Sequence, residues 1–361
     1  MVKVWITAFA AALVLVVGEA AGSPAARQDV AIPMDDGVSI GATLYVPDGT
    51  APAGGWPAIV FLHGLAGNRQ QMNALVEGYG VTGQGFAVLT FDARGHGESG
   101  GLVGIDGPRE VADTRAVRDW LAARADVSDT KIGAWGLSYG GGAILNSLVA
   151  GVPWAAVFTV ETWTDLYSAL MPQGLVKSGL VAGLVGSIPA EKRDPLLSTL
   201  VAAAYAGNVA AVKPWAAARS SLSKLGSVNT PVFMAQGRRD FLFGIDQGAR
   251  AFQRLKGPKA LYIGLHGHAP STFPAADTGY LMNEAVRWFR CYLASTGCGA
   301  SRVVGIASEK VGAQVTVRGT PPPVSPTFVS FPGVSTFARS GKAARTSAPL
   351  RTAIEIYGTP T

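Results

Sequence analysis

Apolar residues in the first 300 positions fall into short, nearly unbroken runs separated by longer periodic ones. Ile40–Val46 alternates and stops at Pro47-Asp48-Gly49, the pattern of a strand entering a turn. Ala58–Leu62, Phe86–Phe91, Ile132–Trp135, Ala155–Val160, Val232–Ala235 and Leu261–Leu265 are compact apolar stretches. Such runs suit strands that are covered on both faces. Between them the spacing turns helical. Val111, Val117, Trp120 and Leu121 share a face behind Pro108, a residue suited to a helix start. Tyr139–Val149, Gln247–Leu255 and Tyr280–Leu293 also read as helices. Strands alternating with helices predict an α/β fold, a mostly parallel sheet with helices on both faces.

Asp165–Val228 interrupts the alternation. It has Leu-, Val- and Ala-rich helical stretches, broken by Pro172, Pro189, Pro195 and Pro214, and no strand-like run. Some 60 residues is long for a single crossover, so this segment is expected to form a helical cap. Trp154, Trp163, Tyr167 and Trp215 are aromatic candidates for the wall between cap and sheet. The predicted organisation is a body over residues 30–299 with the cap at about 165–228, then a basic, β-like extension over 300–361.

The first 22 residues stand apart. Lys3 precedes an apolar run from Val4 to Val17, and small residues follow at Gly18, Ala20, Ala21 and Gly22. This is the pattern of a secretory signal, cleaved after Ala20 or Gly22. Fourteen apolar residues fall short of the roughly 20 that span a bilayer, so no stable membrane span is expected. Export gives meaning to the two cysteines. Cys291 and Cys298, with six residues between them, are expected to form a local disulfide in an oxidising compartment.

The formal charge of +6 is concentrated at the C-terminal end. Residues 300–361 hold seven Lys/Arg and two acids, which leaves +1 for everything before them. A body built to grip nucleic acid is excluded on that balance. The charged share is only 15%, and the 46 glycines follow no three-residue period. Disordered, coiled-coil and collagen-like readings fall away.

The chemistry centres on Gly136-Leu137-Ser138-Tyr139-Gly140-Gly141, placed between a predicted strand and a predicted helix. This is G-x-S-x-G in the context the motif requires. A serine on a tight strand-to-helix turn needs small neighbours. The helix behind it offers an N–H group and a positive dipole end to a developing oxyanion. Ser138 is the candidate nucleophile. Of the four histidines, His63 and His96 precede it, each just past a strand. His266 and His268 follow the last strand of the body, where the base is expected. His268 is preferred because it lies further out on its loop. A metal pair from His266 and His268 lacks a carboxylate nearby in sequence, so no metal and no organic cofactor are expected.

Asp240 lies in the turn after Val232–Ala235 and is the expected acid, with Glu161 and Asp246 as rivals. The backbone N–H groups of Leu65, in His63-Gly64-Leu65, and of Tyr139 are the expected oxyanion donors. Asp92-Ala93-Arg94-Gly95-His96-Gly97-Glu98-Ser99 is read as a structural loop with internal ion pairs.

These motifs resemble those of α/β-hydrolases, in particular the Xaa-Pro dipeptidyl-peptidase-like and cocaine-esterase-like acyl hydrolases. The resemblance rests on the Ser138 hexapeptide, the Asp92–Ser99 loop and Gly267-His268, and it covers roughly Val38 to Leu293. It implies Ser138 as nucleophile, Asp240 as acid and His268 as base. Two features depart from the family pattern. Many members carry a tyrosine in the loop where this chain has His63-Gly64-Leu65. Members also carry a C-terminal β-sandwich, whereas here about 60 residues follow the body, with short strand-like runs at Val311–Val317, Thr327–Phe331 and Ile354–Tyr357.

The resemblance implies a serine hydrolase acting on a small-molecule ester or short peptide through an acyl-enzyme, and the secretory pattern at the N-terminus implies that it is exported. The lipase-like His63 loop favours an acyl esterase. A Xaa-Pro dipeptidyl aminopeptidase remains open, and would need a cap carboxylate for the substrate amine, from Glu161, Asp165, Glu191 or Asp194. A non-catalytic binding protein of the same fold is the remaining reading. Oligomeric state is not encoded in any of these patterns.

Overall fold

The computed structural model describes residues 26–269, 271–298, 304–307 and 316–317. The chain runs β1 (Ala26–Pro33), β2 (Ser39–Val46), β3 (Trp56–Leu62), α1 (Arg69–Gly78), β4 (Ala87–Phe91), α2 (Pro108–Ala122), β5 (Val127–Leu137) and α3 (Tyr139–Val149). It continues with β6 (Val157–Val160), α4 (Leu166–Leu170), α5 (Ser178–Gly186), α6 (Pro195–Tyr205), α7 (Val209–Ala217), β7 (Val232–Gly237) and α8 (Ile245–Arg254). It ends with β8 (Lys259–Gly264), α9 (Ala275–Ala294), β9 (Val304–Ile306) and β10 (Thr316–Val317).

The strands form one sheet in the order β1-β2-β4-β3-β5-β6-β7-β8-β9-β10. From β4 to β9 every neighbouring pair is parallel; β1, β2 and β10 are antiparallel to their neighbours. The apolar runs have the expected cause. Val60, Leu62, Ile132, Ala134, Met234 and Ile263 pack on one face with Val117, Leu121, Ile144 and Phe252 of α2, α3 and α8. Their alternates Ile59, Phe61, Trp135, Phe158, Phe233 and Tyr262 pack on the other with Met72, Val76, Leu281 and Trp288 of α1 and α9. A side chain of this size contributes about 1.5–3 kcal/mol when fully buried. Both faces are therefore held to the helices along the whole central sheet.

The structure departs from the sequence expectations at four places. β1 has a mostly exposed, polar sequence and pairs only as an edge, so no apolar run marked it. α1 buries Arg69 and Asn73 beside Met72, Leu75 and Val76, which blurs its apolar stripe. α9 begins at Ala275, behind Pro274, rather than at Tyr280. Pro214 does not break a helix; it lies inside α7. The ion pairs of the Asp92–Ser99 loop also run outward, not within it. Asp92 and Glu98 pair with Arg69 of α1, and Arg94 pairs with Asp113 of α2 and with Asp36.

Helices α4–α7 all lie between β6 and β7 in the chain. β9 lies beyond the boundary drawn at residue 299 and pairs with β8, so the sheet extends into the C-terminal stretch. Cys291 and Cys298 are joined by a disulfide at the end of α9. Of the strand-like runs after residue 300, only Thr316–Val317 is described; Thr327–Phe331, Ile354–Tyr357 and the secretory segment expected over the first 22 residues lie outside the described residues. Among the described residues, no helix is long and apolar enough to cross a membrane.

Candidate active site

Parallel strands end on one edge of a sheet, and the loops that follow them meet there. Leu137, Val160 and Ala235 are register partners across β5, β6 and β7. The next residue on each strand therefore stands in one row. Ser138 N–H donates to the Val160 carbonyl (2.8 Å), and Glu161 N–H to the Ala235 carbonyl (2.8 Å).

Ser138 has a left-handed φ of 53° with ψ −112°, a conformation an L-residue holds only where its surroundings over-determine it. The glycines around it answer a spatial demand. A Cβ on Gly136 would press into the Gly140 carbonyl, and one on Gly140 into the Leu62 carbonyl. The serine hydroxyl emerges between β5 and α3, and the residue is 9% exposed.

Ser138, Asp240 and His268 are brought together. His268 Nδ1–H donates to Asp240 Oδ2 (2.8 Å), and Ser138 Oγ lies 2.8 Å from His268 Nε2. A carboxylate only accepts, so Nδ1 carries the proton and a neutral ring leaves Nε2 free to accept from the serine. Asp240 Oδ1 accepts from Leu242 N–H (2.9 Å) and Phe243 N–H (3.0 Å), which fixes the carboxylate's tilt. The His268 loop is tied down by Asp277 at the start of α9, which accepts from His266 N–H (3.0 Å) and Leu265 N–H (2.5 Å). Burial on its own would push the His268 imidazolium down. The negative charges of Asp240 and then Glu161 override it, and the pKa is raised to about 9.

The rival residues go elsewhere. His266 Nδ1 bonds Glu161 Oε1 (2.6 Å), not the serine. Asp246 accepts from Gln247 and lies 3.9 Å from Arg250. The expectation that no carboxylate stands near the two histidines is corrected, because Glu161 and Asp240 reach them from the ends of β6 and β7. Atoms of Glu161, Asp240 and His268 lie within 4.8 Å of one another, a spacing a cation could bridge. His268 Nδ1 and Asp240 Oδ2 already bond each other there.

Leu65 and Tyr139 border the cavity beside Ser138. The loop carrying Leu65 is stapled by His63, whose Nδ1–H donates to the Gly64 carbonyl (2.7 Å) while Nε2 accepts from Ala93 N–H (3.0 Å). Burial, with a smaller contribution from His96, pushes His63 down to about 3 and keeps it neutral. The sequence reading passed over this staple, and over Gln236. That buried amide accepts from Thr162 N–H (3.0 Å) and donates to the Thr162 and Phe243 carbonyls (3.1 and 3.2 Å), locking the Glu161 and Asp240 loops together. A glutamine directly after the apolar run Val232–Ala235 was the available signal.

A cavity of about 110 Å³ opens from Ser138 beneath α4–α7. Leu166, Leu170, Val181, Leu184, Leu197 and Leu200 form much of its wall. Trp163, Tyr167 and Trp215 border it as expected. Trp154 does not; its Nε1–H donates to Ser147 Oγ within the core. Among the described residues, no carboxylate side chain borders this cavity. Asp165 and Asp194 instead cap α4 and α6.

Known proteins resemble this chain in sequence and in fold. Quorum-quenching protein AidA of Acinetobacter baumannii (strain MDR-ZJ06) is 31% identical over 192 residues, 50% of this chain and 59% of AidA. The chain thus spans about three fifths of that relative. Lysophosphatidylserine lipase ABHD12 of Rattus norvegicus is 40% identical over 98 residues, 27% of this chain and 23% of the lipase. Among solved structures, a CocE/NonD family hydrolase from Staphylococcus aureus superposes with TM-score 0.63 at 15% identity, covering 82% of this chain and 56% of that one. Acetyl xylan esterase from Paenibacillus sp. R4 gives 0.57 at 19%, covering 77% and 87%. At these identities the likeness is one of fold, the α/β-hydrolase fold. Residues 36–270 match the X-Pro dipeptidyl-peptidase (S15 family). The chain belongs to that family.

Proposed function

We propose that the protein is an exported carboxylic ester hydrolase working through Ser138, His268 and Asp240. Ser138 Oγ attacks the ester carbonyl as its proton passes to His268 Nε2, and the N–H groups of Leu65 and Tyr139 receive the oxyanion. The imidazolium returns the proton to the leaving alcohol. Water, activated by the same imidazole, then cleaves the acyl-enzyme. Export is inferred from the apolar stretch Val4–Val17 and the small residues after it.

The observation that carries the ester reading is the cavity wall. Its cap side is aliphatic and aromatic, which suits an apolar acyl group. A dipeptidyl peptidase has to hold a charged α-amine, and a buried ammonium without a partner is costly. The family match favours the peptidase as the second reading. Both are tested together on a medium-chain p-nitrophenyl ester and an Ala-Pro anilide, with Ser138→Ala as the blank. The expected result is ester turnover that falls at least about 10³-fold in the variant. Anilide turnover abolished by the same substitution would overturn the preference. Failure of the wild-type protein to label with a fluorophosphonate would leave a non-catalytic binding protein.

A further inference from the structure

His268 Nδ1 faces two carboxylates, whereas the mechanism above uses one. Asp240 Oδ2 is 2.8 Å away, and Glu161 Oε2 is 3.6 Å away. Glu161 is 3% exposed and sits in a left-handed conformation, φ 49°. A glutamate holds that conformation at a cost of about 1–3 kcal/mol, sustained by its surroundings. Those surroundings are specific. Its N–H donates to the Ala235 carbonyl, the next N–H donates to Gln236, and its Oε1 accepts from His266 Nδ1–H at 2.6 Å. His266 Nε2 is buried and has no hydrogen-bond partner among the described residues. The ring therefore serves to hold Glu161, and Oε2 is left directed toward His268.

We propose that Glu161, held by His266, is a positioning residue that shares the His268 Nδ1 proton with Asp240 and substitutes for Asp240 when that carboxylate is lost. This inference rests on the reading of Ser138 and His268 as nucleophile and base. When Ser138 gives its proton to His268 Nε2, the imidazolium charge is spread between two acids from adjacent strand ends. A closing movement of less than an ångström brings Glu161 Oε2 within hydrogen-bond length of Nδ1. The other groups about His268 do not duplicate this. Ser138 faces Nε2, and the Phe243 ring lies edge-on to the imidazole. Lys177 of the cap is turned to the Phe241 and Leu242 carbonyls, and Asp246 is bound to Gln247.

The test has an activity arm and a spectroscopic arm. Fluorophosphonate labelling rates are compared for wild type, Asp240→Ala, Glu161→Gln and the double variant. Alanine is chosen because an asparagine held by the Leu242 and Phe243 N–H groups would turn its NH₂ toward Nδ1 and enforce the wrong tautomer. Asp240→Ala is expected to label about 10²-fold more slowly, and the double variant about 10⁴-fold, the loss seen when a triad acid has no substitute. In ¹⁵N-histidine NMR titrations, the His268 midpoint is expected to fall by about one pH unit in Glu161→Gln. If that variant does not fold, Glu161→Asp is expected to give a smaller shift of the same sign. A double variant no slower than Asp240→Ala, or a His268 midpoint unmoved by either Glu161 substitution, overturns the proposal. A wild-type protein that does not label refutes the serine-hydrolase mechanism instead. The titration still decides whether Glu161 acts on His268.

Discussion

Two pairs of histidines flank Ser138, and all four rings are buried. His63 and His96 stand 5.1 Å apart, ring to ring, in the loops after β3 and β4. Burial pushes His63 down to about 3 and lowers His96 as well. His266 and His268 stand in the loop after β8, and there the carboxylates of Glu161 and Asp240 reach the rings. His268 is raised to about 9 in spite of its burial. The difference is the presence of an acid within hydrogen-bonding distance, not depth in the fold. A buried ring without an acid becomes a neutral staple. His268, buried beside two, is placed to act as the proposed base and to tolerate charge, whereas His266 spends its hydrogen bond on holding Glu161.

The largest test of this contrast is the pair His268→Ala and His63→Asn. Above pH 9, where the His268 charge no longer contributes to stability, removing the base is expected to lower kcat by about 10⁴-fold or more with the melting temperature little changed. Removing the staple is expected to act the other way round. Two buried hydrogen bonds go, at about 1 kcal/mol each, and the loop carrying Leu65 loosens, so stability drops by about 2 kcal/mol and kcat by only about tenfold. Equal losses of kcat, measured beside thermal denaturation, would erase the distinction.

How far this was legible in the sequence depends on the range of each interaction. Ser138 is marked by its own hexapeptide, because the elbow's steric demands fall on adjacent residues. Asp240 and His268 follow apolar runs that the sheet brings to one edge, so their order along the chain was enough. Glu161 was visible only as one acid among several. Its partner His266 lies 105 positions away, and no local pattern reports such a pairing. His63 looked like a loop residue of no particular role, because its partners are the Gly64 carbonyl and the Ala93 N–H, which exist at every position. The same holds for β1, whose pairing with β2 is made by backbone and leaves most of its side chains exposed.

The second test is the pH profile. In the proposed mechanism the base works as neutral imidazole, so activity is expected to be lost as pH falls through the His268 pKa. With that value raised to about 9, kcat/KM is expected to rise about fiftyfold between pH 7 and pH 9, tenfold per unit well below the pKa and half-maximal at it. A plateau reached by pH 7 would mean that the two carboxylates do not hold the proton on His268.

The smallest effect is on stability, and His268 and His63 should pull it in opposite directions. An ordinary histidine titrates near 6.5 in the unfolded chain. His268 is raised above that value in the folded protein, so its contribution is fully present below pH 6.5 and is lost as pH rises through about 9. His63 is depressed to about 3. The unfolded state then binds a proton that the folded state refuses, and stability falls as pH drops from 6.5 toward 3. Urea denaturation of wild type beside His268→Gln is expected to differ by about 2 kcal/mol less at pH 9 than at pH 6. Wild type beside His63→Asn should show its largest gap near neutrality and a smaller one at pH 4. A pH-independent gap in both comparisons would mean that neither ring's charge is coupled to folding, and that the division into staple and base rests on geometry alone.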